Sequence, residues 1–247
     1  MPATPAWPPK SAPRLFVSVP LDIGASVALD GPQAHYLGRV MRLSVGDVVL
    51  LCDDRTGEWA SNVTQVGKRE IALTVVGQLR PREDVPDFTL CAALLKKDRF
   101  DLVLEKACEL GVARIQPVLT RRCVADKLNL DRARSILVEA AEQCARTALP
   151  MIAEPVKLDA LLKGWDAGRT LFFADENGGE NAAQQYAANS GPAALLTGPE
   201  GGFDAAERAA IRALAQARPI TLGPRILRGE TAALAATALW MGTSGDW

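Results

Sequence analysis

Near the end of this 247-residue chain, two short apolar runs each stop at a glycine-rich turn that leads into a helical pattern. The first reads Ala193-Ala-Leu-Leu-Thr-Gly-Pro-Glu-Gly-Gly-Phe203, the second Ile220-Thr-Leu-Gly-Pro-Arg-Ile-Leu-Arg-Gly-Glu-Thr-Ala232. Consecutive strand–turn–helix units demand a parallel sheet, whose ligands bind at the carboxyl ends of the strands. Glycine in those turns, having no Cβ, lets a flat ligand lie against bare backbone. Asp204 and Glu207 have the spacing of a capping box, so a helix starts there. Ile211 and Leu214 share one face of it, and Arg208 and Arg212 another. Pro219 closes that segment, 220–222 forms the next strand, and 231–241 a second helix. The turns match neither the P-loop nor the dinucleotide fingerprint, which disfavours an ordinary ATP- or NAD-using enzyme.

The same alternation reaches back to residue 88. Strands are expected at 90–95, 115–119, 171–174 and 193–196, and helices at 99–110 and 131–147, giving an α/β fold with helices on both faces of the sheet. Residues 14–80 read differently, as short β-like runs at 15–19, 48–52 and 71–76 with a turn at 53–57, and suggest a small β-barrel. The charged, proline-bearing stretch Arg80-Pro-Arg-Glu-Asp-Val-Pro86 reads as a connection, so the expected division is a tail 1–13, a barrel 14–80, a linker 81–87 and an α/β domain 88–247. The tail holds five prolines among thirteen residues and no apolar segment.

Composition excludes several classes. Charges nearly cancel, 28 basic against 29 acidic, so the surface as a whole is no polyanion binder. The balance is 0 over 1–85, +2 over 86–150 and −3 over 151–247, so any RNA contact must be a local patch. The five cysteines, at 52, 91, 108, 123 and 144, form no Cys-x-x-Cys pair and suit a reducing, cytoplasmic setting. Cys91 and Cys108 lie in apolar patterns as small core residues. No metal-ligand cluster is visible. No apolar run approaches the ~18 residues of a membrane span.

The paired turns, Thr197-Gly-Pro-Glu-Gly-Gly-Phe203 and Leu222-Gly-Pro-Arg-Ile-Leu-Arg-Gly-Glu-Thr-Ala232, resemble the signature of the RsmE-type ribosomal RNA methyltransferases of the SPOUT superfamily. Leu104-Glu-Lys-Ala-Cys-Glu-Leu-Gly-Val112, Glu139-Ala-Ala-Glu-Gln-Cys-Ala-Arg146, Arg14-Leu-Phe16, His35-Tyr-Leu37 and Arg39-Val-Met-Arg-Leu-Ser-Val-Gly-Asp47 extend the resemblance over residues 14–241. It implies a C-terminal sheet with a trefoil knot, which periodicity alone does not indicate, and an N-terminal barrel of PUA or OB type. It further implies S-adenosylmethionine as cofactor, N3 of a uridine in small-subunit (16S) rRNA as the methyl acceptor, free rRNA or the assembled subunit as partner, and a homodimer.

Under that resemblance the cofactor would lie on Leu196, Thr197, Gly198, Pro199, Glu200, Gly201 and Gly202 of the first turn. From the second turn it would meet Leu222, Gly223, Ile226, Leu227, Arg228 and Thr231. Candidates for charge work are Arg228, Glu200 and Arg146, with no general base identified. RNA contacts are expected at Arg14, Arg42, Lys96, Lys97, Arg99, Arg122 and Arg146; the plainer readings are surface charge and, for the Glu139, Gln143, Arg146 row, a solvated helix face. Another RNA target, or an RNA-binding protein without catalysis, is the alternative. The single histidine, His35, and the turn residues Asp53 and Asp54 read as structural.

Overall fold

The computed structural model describes residues 8, 9 and 11–247. Most of the tail expected over 1–13 lies outside the described residues, but the Pro13 carbonyl already accepts the Leu50 N–H at 2.8 Å. The chain falls into two compact units. The first comprises residues up to Asp84 together with Ala141–Ala148; the second comprises Val85–Ala140 and Leu149–Trp247.

The first unit contains β1 (Arg14–Phe16), β2 (Ser26–Leu29), α1 (Gly31–His35), a π-helical turn at Tyr36–Val40, β3 (Val48–Cys52), β4 (Glu58–Val66) and β5 (Ile71–Arg80). The strands form one five-stranded sheet in the order β1-β3-β4-β5-β2. β1 runs parallel to β3, and the remaining pairs are antiparallel. Val49, Leu51, Val63, Leu73 and Val75 alternate inward and pack with Leu37 into the core, as period-2 patterning requires. Asp53 ties the β3–β4 turn by accepting the N–H groups of Arg55 and Thr56. Burial alone would raise the Asp53 carboxyl, but those N–H groups and the Thr56 hydroxyl hold it below the usual aspartate range.

Two carboxylates, nearly buried Glu58 and half-buried Glu83, organise the rest of this unit. Glu58 bonds Arg14 and Arg80. Glu83 accepts the N–H groups of Thr147 and Ala148, both at 3.0 Å, and pairs with Arg146 at 3.3 Å.

The second unit is β6 (Phe88–Ala93), α2 (Lys97–Glu109), β7 (Arg114–Leu119), α3 (Leu130–Cys144, whose last turn belongs to the first unit), β8 (Met151–Ile152), β9 (Val156–Lys157), α4 (Leu158–Lys163), β10 (Thr170–Ala174), β11 (Glu180–Asn181), α5 (Ala182–Ala188), β12 (Ala193–Thr197), α6 (Ala205–Arg212), β13 (Ala217–Thr221) and α7 (Gly229–Ser244). Its strands are all parallel, in the order β11-β13-β10-β12-β6-β7-β8, with β9 also on β7. β6 and β12 are buried at every residue, the mark of central parallel strands covered on both faces. α2, α5 and α7 pack together, as do α4 and α6. Burial pushes the Cys91 thiol up to about 12, so this core cysteine is inert at neutral pH.

Two elements differ from the pattern reading. The helix expected over 131–147 ends at Cys144, where Ala145 takes φ +64° and the Arg146 N–H returns to the Ala141 carbonyl at 3.0 Å. That is a Schellman-type closure with alanine in the glycine position, and it removes Arg146 from the helical row. β13 begins at Ala217 and contains Pro219, which ends no strand here.

Asp175, just past β10, has a side chain with no exposed surface and is gripped by Arg208 Nε (3.0 Å) and Arg212 Nη2 (2.7 Å). Burial would raise its carboxyl, but the Asn177 N–H and the Arg212 and Arg208 guanidiniums outweigh it and hold it below the ordinary value. Its stabilising contribution is therefore complete above the ordinary aspartate pKa of about 3.9 and is lost as pH falls through the lower native value. Asp175→Ala should cost about 1.5–3 kcal/mol in urea unfolding at pH 7 by removing a charged acceptor shared by Arg208 and Arg212, with the gap to wild type closing in acid. Arg14→Ala should cost about 1.5–3 kcal/mol by the same measurement, because it removes a charged partner of nearly buried Glu58.

Candidate active site

The carboxyl ends of β10, β12 and β13 open into one cleft. Its lining comes from Ala174, Asp175 and Glu176 after β10, from Gly198, Pro199, Gly202 and Phe203 after β12, and from Ile220, Thr221 and 222–227 around and after β13. Arg208 of α6 and Gly229 and Ala232 of α7 complete it.

The walls approach closely because side chains are missing where they meet. A Cβ on Gly229 would sit 2.9 Å from Leu95 Cδ2 and 3.0 Å from the Gly198 carbonyl oxygen, so only glycine lets α7 start against the β12 loop. Gly202 takes φ +64°, and a Cβ there would overlap the Glu176 carboxylate. Phe203 closes the rear wall edge-to-face on Phe173, ring centres 5.2 Å apart. The capping box is formed: Asp204 accepts the Glu207 N–H at 2.7 Å, and Glu207 accepts the Asp204 N–H at 3.1 Å. Arg121 donates its N–H to Glu207 at 2.8 Å and pairs with Asp204.

Of the thirteen residues expected at the cofactor, Gly198, Pro199, Gly202, Leu222, Gly223, Ile226 and Leu227 line the cleft. Leu196 and Thr197 are buried in β12. Arg122 Nη1 holds the Gly201 carbonyl at 2.8 Å, so Arg122 braces this loop. Thr231 is exposed and lies outside the cleft lining. Glu200 and Arg228 line a neighbouring concavity with Lys96, Arg99, Val124 and Glu230. Lys97 is exposed at the start of α2.

The other candidates separate from these. Arg146 is 5% exposed and paired with Glu83 in the first unit, correcting the solvated row expected for it. Arg14 is likewise engaged, with Glu58 and the Glu142 carbonyl, rather than displayed. Arg42 is exposed at φ +56°. Pattern reading passed over Asp175, Glu176, Phe203, Arg225 and Glu230. The signal for the first two was present: 171–174 ends in Asp-Glu-Asn-Gly-Gly, a third glycine-bearing turn after a strand.

The RNA methyltransferase domain family matches residues 82–241 and the RNA methyltransferase PUA domain family residues 29–76. The chain belongs to the RsmE family of RNA methyltransferases. It is 34% identical to the ribosomal RNA small subunit methyltransferase E of Synechocystis, over 91% of this chain and 76% of that protein. Against the protein of the same name from Rickettsia conorii it is 28% identical, over 91% and 93%. Among solved structures it resembles the ribosomal RNA small subunit methyltransferase E of Neisseria gonorrhoeae bound to S-adenosyl methionine, with TM-score 0.86 and 27% identity over 96% of this chain and 99% of that one. A Legionella pneumophila protein solved with bound SAM gives TM-score 0.87 at the same identity and coverage.

Gly202→Ala should displace Glu176 and strain the β12 loop. The expected result is a melting temperature lower by several degrees, as a cost of about 1–3 kcal/mol implies, with an unchanged far-ultraviolet circular dichroism spectrum.

Proposed function

We propose that this protein uses S-adenosylmethionine to methylate N3 of a uridine in small-subunit rRNA. The observation that carries the reading is the cleft at the ends of β10, β12 and β13, walled mainly by residues of two glycine-bearing loops and bearing one accessible carboxylate, Glu176. The residues fit the cofactor: bare backbone at Gly198 and Gly202 suits a flat ring, and backbone N–H and C=O groups of the two loops suit its polar edge. S-adenosylmethionine, when bound, supplies a methyl group already made electrophilic by the sulfonium.

The chain's own task is positioning. Uridine N3 lies on the pairing edge and carries a proton, so the base must be unpaired to be reached and must lose that proton to react. Lys96, Arg99 and Arg228, gathered beside the cleft, suit RNA phosphates and the carbonyl oxygens on which charge then builds. The unit ending near residue 84 supplies further RNA contact, with exposed Arg42 one candidate, and Arg14 and Arg146 hold that unit together instead.

The resemblance supports a cytoplasmic homodimer and a knotted C-terminal domain. The topology agrees with threading: β13 lies beyond β10 from β12, and α7 returns to pack on β12 and β6.

The test is methyl transfer from labelled S-adenosylmethionine to unmodified small ribosomal subunits, with mass spectrometry of the digested nucleosides. Wild type should yield 3-methyluridine. Gly198→Val, whose branched side chain must displace the Phe203 ring that already lies 2.9 Å from a Cβ at that position, should lower cofactor affinity at least about tenfold by calorimetry. A different methylated nucleoside would discard the substrate and keep the chemistry; unchanged affinity in the variant would remove the cofactor from this cleft.

A further inference from the structure

We propose that Glu230 is the catalytic residue that accepts the N3 proton of the uridine, an assignment that rests on the methyltransferase reading above. Glu230 lies in the first turn of α7 and is 5% exposed. Its Oε1 is 3.3 Å from Arg99 Nη1, whereas Oε2 is buried with no hydrogen-bond partner among the described residues. An orphaned carboxylate oxygen is costly, and its persistence calls for a donor that arrives with a ligand.

The surroundings say which donor. Glu230 lines the concavity with Lys96 and Arg99 at the start of α2, Glu200 from the β12 loop and Arg228 capping α7. This concavity lies next to the cleft along both loops: Gly198 and Gly229 line the cleft, and Glu200 and Glu230 line the concavity. The Gly198–Gly229 contact is where the two adjoin. The pairing edge of uracil presents an N–H between two carbonyl oxygens. Its complement is an acceptor flanked by donors, which Glu230 among Lys96, Arg99 and Arg228 provides; cytosine, with no N3–H, is not matched.

The step balances. The N3–H bond breaks as Glu230 Oε2 takes the proton, and the charge left on the base spreads to its two carbonyl oxygens, facing the cations. N3 then bonds the methyl carbon, the pair of the broken carbon–sulfur bond staying on sulfur, and Glu230 returns its proton to solvent.

The experiment compares wild type with Glu230→Gln, which keeps the shape, and Glu230→Asp, which keeps the charge. 3-Methyluridine formation on unmodified small subunits is measured from pH 6 to 9, alongside calorimetric affinity for S-adenosylmethionine. Glu230→Gln should bind the cofactor within about threefold of wild type, be slower by about 100-fold at pH 7, and regain rate with pH, roughly tenfold per unit, as hydroxide takes the proton instead. Glu230→Asp should be slower but keep the wild-type profile. A second readout needs no turnover: wild type should bind rRNA carrying uridine more tightly than the same RNA carrying 3-methyluridine, and Glu230→Gln should lose that preference. Activity of Glu230→Gln within about threefold of wild type, a loss equal at every pH, a parallel loss of cofactor affinity, or a retained preference would each overturn the assignment. Absence of 3-methyluridine from wild type itself would bring down the functional reading, and Glu230 with it.

Discussion

The start of α7 against the β12 loop is the contact on which the C-terminal architecture turns. Gly229 meets the Gly198 carbonyl and Leu95 at distances that leave no room for a side chain. That approach brings 222–227 over the end of β12 and so makes one cleft of two turns belonging to strands that are not neighbours, β10 lying between β12 and β13. It also lets α7 lie on the two most buried strands, where Phe88 stacks on Trp240 with ring centres 4.2 Å apart. A side chain at Gly229 would push the β12 loop and a core helix apart together, which couples cleft geometry to packing.

Charge is placed with the same economy. Asp175 pins α6 through Arg208 and Arg212 and leaves Glu176, its neighbour, at the cleft. Glu58 does for the first unit what Asp175 does for the second, gathering two arginines around a shielded carboxylate, and half-buried Glu83 gathers backbone N–H groups beside it. Satisfied pairs of this kind add modest net stability, but losing one partner is expensive, so they fix one arrangement of loops that apolar packing alone would leave loose. Much of the arginine content is therefore internal scaffolding. On that reading, a chain of net charge −1 needs only a small local patch for RNA.

The cleft was legible because its causes are local. Apolar runs at 193–196 and 220–222 and the glycines that follow name both the strands and their turns, and the Asp204–Glu207 spacing announced a cap that the structure forms. Other features depend on partners distant in sequence. Arg146 looked like a helix-face residue because an alanine, not a glycine, takes the left-handed position that ends α3. Arg14 was expected at RNA by family resemblance, and nothing near it in sequence announces its partner Glu58. Asp175 and Glu176 drew no notice in the sequence, and their place at the cleft follows only once β10 is set between β12 and β13. Glu230 reads as an acidic residue favouring a helix N-terminus, and only burial reveals its unmatched oxygen. A knot is a property of threading and leaves no trace in periodicity, so that expectation came through family resemblance alone.

The central claim is that two loops, joined through bare backbone, hold S-adenosylmethionine at the ends of β10, β12 and β13. A crystal structure of this protein soaked with S-adenosylmethionine tests it most directly. The account predicts density between 198–203 and 222–227, hydrogen-bonded to main-chain atoms of both loops and with its methyl group toward Arg228 and Glu230. Cofactor bound elsewhere on the chain, or absent at saturating concentration from an open and well-ordered cleft, would contradict it.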